Sequence, residues 1–251
     1  MKIFLIALVA IYVVFSLTFC SLQRKFLYFP QPARQSYEAD SISFLVNGMK
    51  LKGWVLNAGL PKGLIYYGGN AENIEDNIPF FEQVLPQYSI YLIPYRGYGD
   101  NAGEPTEQAL YSDAKEIFKH ISKQHESVSL MGRSLGSGVA IYVAANLKVD
   151  KLILVTPFDS IENVAKDHYW MFPVSLLIKD KYLSSERVKD ITAATYIFIA
   201  EDDRVIPRAR SEKLVERFGE QLEAVFVIKG AGHNTISTYP AYVEGLKQAL
   251  D

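Results

Sequence analysis

Cysteine is almost missing from the 251-residue chain: Cys20 stands alone. No intramolecular disulfide can form, and no cysteine-rich metal site exists. A disulfide-free chain is compatible with any redox compartment. An excess of charge of one sign is missing too. Twenty-six Lys and Arg face 28 Asp and Glu, a net charge of -2. No broad basic field is therefore present to recruit nucleic acid, and none is expected as a partner. Histidine is scarce, at four residues, which shortens any search for a general base. Internal repeats and low-complexity tracts are lacking. What remains is an ordinary globular balance, 49% hydrophobic and 22% charged, able to bury a sizeable core. With roughly 100 to 200 residues per domain as the usual size, one large domain with a tail fits best.

The tail is N-terminal. From Ile3 to Gln23 no residue is charged, with Lys2 before the run and Arg24 and Lys25 after it. About 20 apolar helical residues span a bilayer. A cleaved signal peptide has a shorter apolar region, about 7 to 15 residues, ending in small residues; here bulky Phe19 precedes Cys20, which also disfavours a lipoprotein site. A buried core helix is a third reading, weakened by the lack of a polar face. The expectation is an uncleaved single-pass anchor over residues 1–23, with its partner the membrane. Charge is similar on both flanks, so the sequence sets no orientation.

Residues 26–40, with Pro30 and Pro32, read as an irregular lead-in. Apolar runs at 41–46 and 51–57 flank Asn47-Gly48, a hairpin turn signal. Then short apolar runs alternate with amphipathic stretches. The runs lie at 64–67, 90–93, 128–131, 152–155, 196–199 and 224–228; the stretches lie near 73–85, 107–123, 135–147, 208–218 and 238–249. Continuously apolar strands belong to a sheet covered on both faces. Their alternation with helices predicts an α/β fold, a doubly wound, mostly parallel sheet with an antiparallel hairpin at its edge. Ligands bind such sheets beyond the C-terminal strand ends. Residues 158–190 exceed an ordinary crossover and predict a longer helix or a small cap over that edge.

The run ending at Met131 leads directly into Gly132-Arg133-Ser134-Leu135-Gly136. This is Gly-x-Ser-x-Gly between a strand and a helix, where a serine on a sharp turn needs small neighbours two positions away. A glycine-rich turn with an incidental serine is the plainer reading; the strand-turn-helix setting favours Ser134 as a nucleophile. A serine hydroxyl needs a base. His120 and His125 precede the nucleophile strand and face the other sheet edge, and His168 falls in the cap. His233, in Gly230-Ala231-Gly232-His233-Asn234, follows the last strand and shares the edge with Ser134. The orienting acid should follow an intervening strand. Glu201, Asp202 and Asp203 compete there; Asp203 is chosen and Asp202 is second. The order Ser, Asp, His is that of the α/β-hydrolase fold. Oxyanion donors are expected from the amide of Leu135 and from Gly68-Gly69-Asn70-Ala71 after the third strand, with Asn70 first and Ala71 second.

These segments together resemble the membrane-anchored α/β-hydrolase-domain serine hydrolases, the Bem46-like group. The resemblance is carried by Gly68-Gly69-Asn70-Ala71-Glu72-Asn73, Pro94-Tyr95-Arg96-Gly97-Tyr98-Gly99, Gly103-Glu104-Pro105-Thr106-Glu107, the Ser134 turn, Asp203-Arg204-Val205-Ile206-Pro207 and Gly232-His233-Asn234. It covers about residues 24–250, and Phe26-Leu27-Tyr28-Phe29-Pro30 matches the segment that follows the anchor in that group. The resemblance implies an α/β-hydrolase domain over 24–251, with a cap-like insertion at about 158–190. It implies Ser134, Asp203 and His233 as the triad, and ester or thioester hydrolysis, including removal of acyl chains from proteins. Two departures stand out: Gly68 replaces the group's usual His, and Pro94 its usual Asp.

The expected reaction is acyl transfer through an acyl-enzyme, with no metal or organic cofactor, on a small-molecule or lipid-like acyl substrate. Tyr95 and Tyr98, and Trp170, Met171 and Phe172 of the cap, are candidates for the substrate pocket; core packing is an equal reading for all five. The rivals are a prolyl-oligopeptidase-like peptidase, which usually carries a further domain, and a non-catalytic membrane-tethered binding protein on the same fold. Serine at the turn excludes an aspartate-nucleophile dehalogenase.

Overall fold

The computed structural model describes residues 1–34 and 39–251, apart from the side chains of Val9, Val13 and Leu17. Among the described residues, eight strands form one sheet in the order β1-β2-β4-β3-β5-β6-β7-β8. Strands β1 (Asp40–Val46) and β2 (Met49–Leu56) make the antiparallel edge hairpin. Asn47 and Gly48 turn it with φ of 50° and 76°, the two positive values that a two-residue hairpin turn requires. Strand β2 also pairs antiparallel with β4 (Ser89–Leu92). From there the ladders are parallel, through β3 (Lys62–Tyr67), β5 (Ser127–Arg133), β6 (Lys151–Val155), β7 (Ala194–Ala200) and β8 (Leu222–Ile228). All six runs expected from apolar content fall in strands; from β3 to β7 they are largely buried by layers on both faces, whereas β8, at the sheet edge, leaves Val225 and Val227 exposed.

Two apolar clusters sandwich the sheet. One joins α3 (Glu107–Ile121) and α4 (Leu135–Asn146) to one face; the other joins α2 (Ile78–Val84) and α9 (Pro240–Leu250) to the opposite face. Chain order reverses where β3 lies between β4 and β5, so the loops after β3 and β5 meet at the switch point where such sheets bind ligands.

The long segment after β6 is a cap of short helices: α5 (Ile161–His168), α6 (Val174–Leu177) and α7 (Ser184–Arg187). Arg210 of α8 (Arg208–Val215) ties α5 to the body through Asp167 at 2.6 Å and Asp159 at 3.3 Å.

The apolar N-terminal run is helix α1 (Lys2–Leu27), with a mean hydropathy of 2.7 over its most apolar stretch. By length and composition it is able to cross a membrane. It continues past the expected limit at residue 23, so Phe26 and Leu27 are helical rather than part of the irregular lead-in. The described side chains of its first half are exposed, while its last turns lie on the cap: Arg24 Nε meets Asp180 Oδ2 at 2.8 Å, and Gln23 donates to the Leu177 carbonyl at 2.9 Å. Residues 35–38 of the expected lead-in lie outside the described residues.

Candidate active site

Ser134 sits between β5 and α4 with φ 51° and ψ -120°, a region a non-glycine residue occupies only when its surroundings impose it. Here they do. Its amide donates to the Val155 carbonyl of β6 at 2.9 Å, and its carbonyl accepts from the Ser137 amide at 2.9 Å and the Ser137 hydroxyl at 2.6 Å. The flanking glycines have a steric cause. A Cβ on Gly132 would overlap the Gly136 carbonyl, and a Cβ on Gly136 would overlap the Tyr67 carbonyl of β3.

His233, on the loop after β8, brings Nε2 to 2.9 Å from Ser134 Oγ. Its Nδ1 lies 2.7 Å from Asp203 Oδ2. Asp203, after β7, also accepts the amides of Val205 and Ile206 at 2.9 and 2.8 Å through Oδ1. An ionised carboxylate only accepts, so the short Nδ1 contact places a proton on Nδ1 and leaves Nε2 to accept from the serine hydroxyl. All three side chains are nearly buried; Ser134 and His233 are each 7% exposed, which strengthens their mutual electrostatics. Asp202 is exposed, and its neighbour Glu201 is spent on the Gly230 amide at 2.9 Å. His125 lies far off on the other edge, bonded to Tyr91 and the Leu60 carbonyl.

Asn70 and Leu135 border the same space as Ser134, while Ala71 faces the polar side of the serine. Asn70 is held from both ends of its residue. Its side chain donates to the Leu27 carbonyl at 3.0 Å; its carbonyl accepts from the Phe29 amide at 3.0 Å and the Tyr98 hydroxyl at 2.7 Å. Tyr95 donates to the Gly68 carbonyl at 2.9 Å. Burial pushes the Tyr95 hydroxyl well above its ordinary value and the Tyr98 hydroxyl upward, so both remain neutral donors. The two tyrosines therefore lie behind the Gly68–Ala71 loop and brace it; of the two expectations for them, substrate pocket or core packing, the structure gives packing, since neither lines the cavities at Ser134.

A second network went unseen in the sequence. Glu72 accepts the Gly69 amide at 2.7 Å and Arg133 Nη1 at 3.0 Å on Oε2, and Tyr66 at 2.8 Å and Asn77 at 2.6 Å on Oε1. Arg133 reaches on to the His233 carbonyl at 3.3 Å and Asn234 Oδ1 at 3.0 Å. Burial works against the Arg133 charge, but Tyr66 and Glu72 outweigh it and hold the guanidinium above its ordinary value. One ion pair thus joins the loop after β3, the Ser134 turn and the His233 loop. The available signal was position: both residues lie inside motifs at the C-terminal ends of adjacent strands, with opposite charge.

Ser134 stands between two cavities of different chemistry. One, of about 210 Å³, is apolar, and runs between α1, α5 and α6; Phe19, Phe26, Val164, Tyr169, Phe172 and Leu177 are among its walls. The other, of about 430 Å³, is polar, with Arg34, Glu72, Asp76, Arg133 and Asn234 around it. Of the cap residues expected at the pocket, Phe172 lines it. Trp170 and Met171 do not: they sit on the turn between α5 and α6, 80% and 58% exposed. Tyr169 takes the wall position instead, because the turn closed by the Phe172 amide on the Tyr169 carbonyl at 2.9 Å sets its two end residues on the cavity and its two central residues outward.

No protein-family model matches the chain. It is 32% identical to an uncharacterised protein of Mycobacterium tuberculosis, MT2364, over 248 residues, covering 91% of this chain and 87% of that one. It is 28% identical over 193 residues to human alpha/beta hydrolase domain-containing protein 17B, covering 74% of this chain and 65% of the human protein. Among solved structures, an esterase of Pyrococcus furiosus superposes with a TM-score of 0.68 over 89% of this chain and 97% of its own, at 16% identity, a likeness of fold. With its eight-stranded sheet, its strand-turn-helix serine and these relatives, the chain belongs to the α/β-hydrolase-domain family.

Proposed function

We propose that this protein is a membrane-tethered serine hydrolase that cleaves carboxylic ester or thioester bonds through an acyl-enzyme on Ser134. The observation that carries this reading is the continuous chain from Ser134 Oγ to His233 at 2.9 Å and on to Asp203 at 2.7 Å, opening on a cavity. His233 Nε2 takes the hydroxyl proton as Oγ bonds to the substrate carbonyl carbon. The carbonyl oxygen gains the negative charge, and the amides of Leu135 and Asn70, with Ala71 as the alternate, stabilise it. The tetrahedral species collapses as His233 returns its proton to the departing alcohol or thiol. Water, deprotonated by His233, then releases the acid by the same two steps. No step calls for a metal or an organic cofactor.

The two cavities divide the substrate. An apolar acyl chain fits the space between the cap and α1, and a polar leaving group fits the basin around Arg133. This favours lipid-like or acylated substrates over peptides. Residues 1–23 are the tether, 24–251 the hydrolase domain, and 158–190 its cap. The test is a panel of ester and thioester substrates of graded acyl length beside aminoacyl-proline substrates, run with the full chain and with Ser134→Ala. Turnover of esters or thioesters that Ser134→Ala abolishes is expected. Turnover confined to aminoacyl-proline substrates, or indifferent to the substitution, would overturn the reading.

A further inference from the structure

Helix α1 does more than reach toward a membrane. Phe19, Gln23 and Phe26, spaced i, i+4 and i+7, present one face to the apolar cavity that ends at Ser134. Phe19 stacks on Phe172 at 5.5 Å and packs on Tyr169 at 4.9 Å, closing the seam between helix and cap. The chain leaving the helix is bonded to the oxyanion loop on both sides of Asn70, through Leu27 and Phe29.

The cap extends far along the helix. Tyr12 stacks on Phe172 and donates to the Met171 carbonyl at 2.9 Å. From Arg24 to Tyr12 the helix advances about 18 Å at 1.5 Å per residue. For tilts up to about 40° that is a depth of roughly 14 to 18 Å. If Arg24 and Lys25 mark the headgroup level, as basic residues ending an apolar span do, the turn at Trp170 lies below it. Its outward side chains suit that position: Trp170 is 80% and Leu176 85% exposed. Around the turn, the Met171 carbonyl is paired by Tyr12, and the amides of Phe172 and Val174 by the carbonyls of Tyr169 and Phe172.

Resting on the serine-hydrolase reading above, we propose that the anchor helix and the cap together form an acyl channel that opens inside the leaflet, so that the substrate is a membrane-resident acyl chain reaching Ser134 sideways from the lipid rather than from water. Phe19, Gln23 and Phe26 then determine chain length, although they lie on the helix that forms the anchor.

The test uses the full chain in phosphatidylcholine vesicles. Its substrates are a long-chain nitrophenyl ester dissolved in the bilayer and water-soluble nitrophenyl butyrate. A Trp170→Asp/Leu176→Asp variant should lose tenfold or more of its turnover of the bilayer ester, with butyrate turnover and fluorophosphonate labelling within twofold of the parent. Phe19→Trp should shorten the longest acyl chain accepted while labelling persists. Unchanged bilayer-ester turnover in the first variant, or an unchanged chain-length profile in the second, would overturn the channel and leave the hydrolase reading standing. Absence of labelling in the parent protein would instead remove both.

Discussion

Glu72→Gln is nearly isosteric, yet a large effect is expected from it. Both carboxylate oxygens face donors: the Gly69 amide and Arg133 on one, Tyr66 and Asn77 on the other. An amide supplies one acceptor and one NH2 group, so either orientation turns a donor toward a donor. Asn77 is not free to invert, because its Nδ2 also donates to the Ile74 carbonyl at 3.0 Å. The substitution also leaves Arg133 without its counter-charge in a pair whose side chains are only 21% and 10% exposed. Breaking one side of a buried pair costs about 3 to 5 kcal/mol, and the residual exposure argues for about 3. At about 2 to 4 °C per kcal/mol for a domain of this size, the unfolding midpoint should fall by about 6 to 12 °C. Thermal unfolding in detergent by circular dichroism measures it. Arg133→Met in the Glu72→Gln background supplies the control, since removing both partners should cost about 0.5 to 3 kcal/mol less than the sum of the singles. Additive costs, or a midpoint within 2 °C or so of the parent, would refute the claim that this pair joins the three loops.

Three other outcomes follow from the site. Asp203→Asn should retain the fold but lower kcat by about 10⁴, as loss of the orienting carboxylate does in such triads, read by ester turnover at saturating substrate. Tyr98→Phe removes the hydroxyl's bond to the Asn70 carbonyl and the one it accepts from the Phe29 amide, but leaves that amide's own bond to the Asn70 carbonyl; a loss of about 1 kcal/mol should appear as about fivefold in kcat with little change in KM. Gly136→Ala drives a methyl group into the carbonyls of Tyr67 and Gly68 and should cost about 3 kcal/mol or more, seen as a much lower unfolding midpoint or loss of soluble protein.

The core of this molecule is written in the sequence one segment at a time. The parallel strands inside the sheet are continuous apolar runs because both of their faces are covered, while β8 at the edge carries such a run with one face exposed; Ser134, Asp203 and His233 each follow one of these runs. Their spatial meeting needs only the parallel sheet to bring the three loops to one edge. Relations across the fold are not encoded this way. Glu72 and Arg133 are 61 residues apart, and each alone is an ordinary surface charge. Tyr95 and Tyr98 read equally well as pocket or core, because a loop has no period to tell inward from outward. The same ambiguity exchanged Tyr169 for Trp170 on the cavity wall. Helix α1, apolar on all sides up to its basic end, shows no seam in sequence; Gln23, bonded to Leu177 and Lys179, marks its contact with the cap together with Arg24 and Tyr12.

The central claim is that Ser134 is the nucleophile. The most direct measurement is peptide mapping by mass spectrometry after the full-length protein reacts with a fluorophosphonate. The account predicts one adduct, on the peptide carrying Ser134, lost in Ser134→Ala and strongly slowed in Asp203→Asn. An unlabelled protein, or an adduct on another residue that persists in Ser134→Ala, would contradict it.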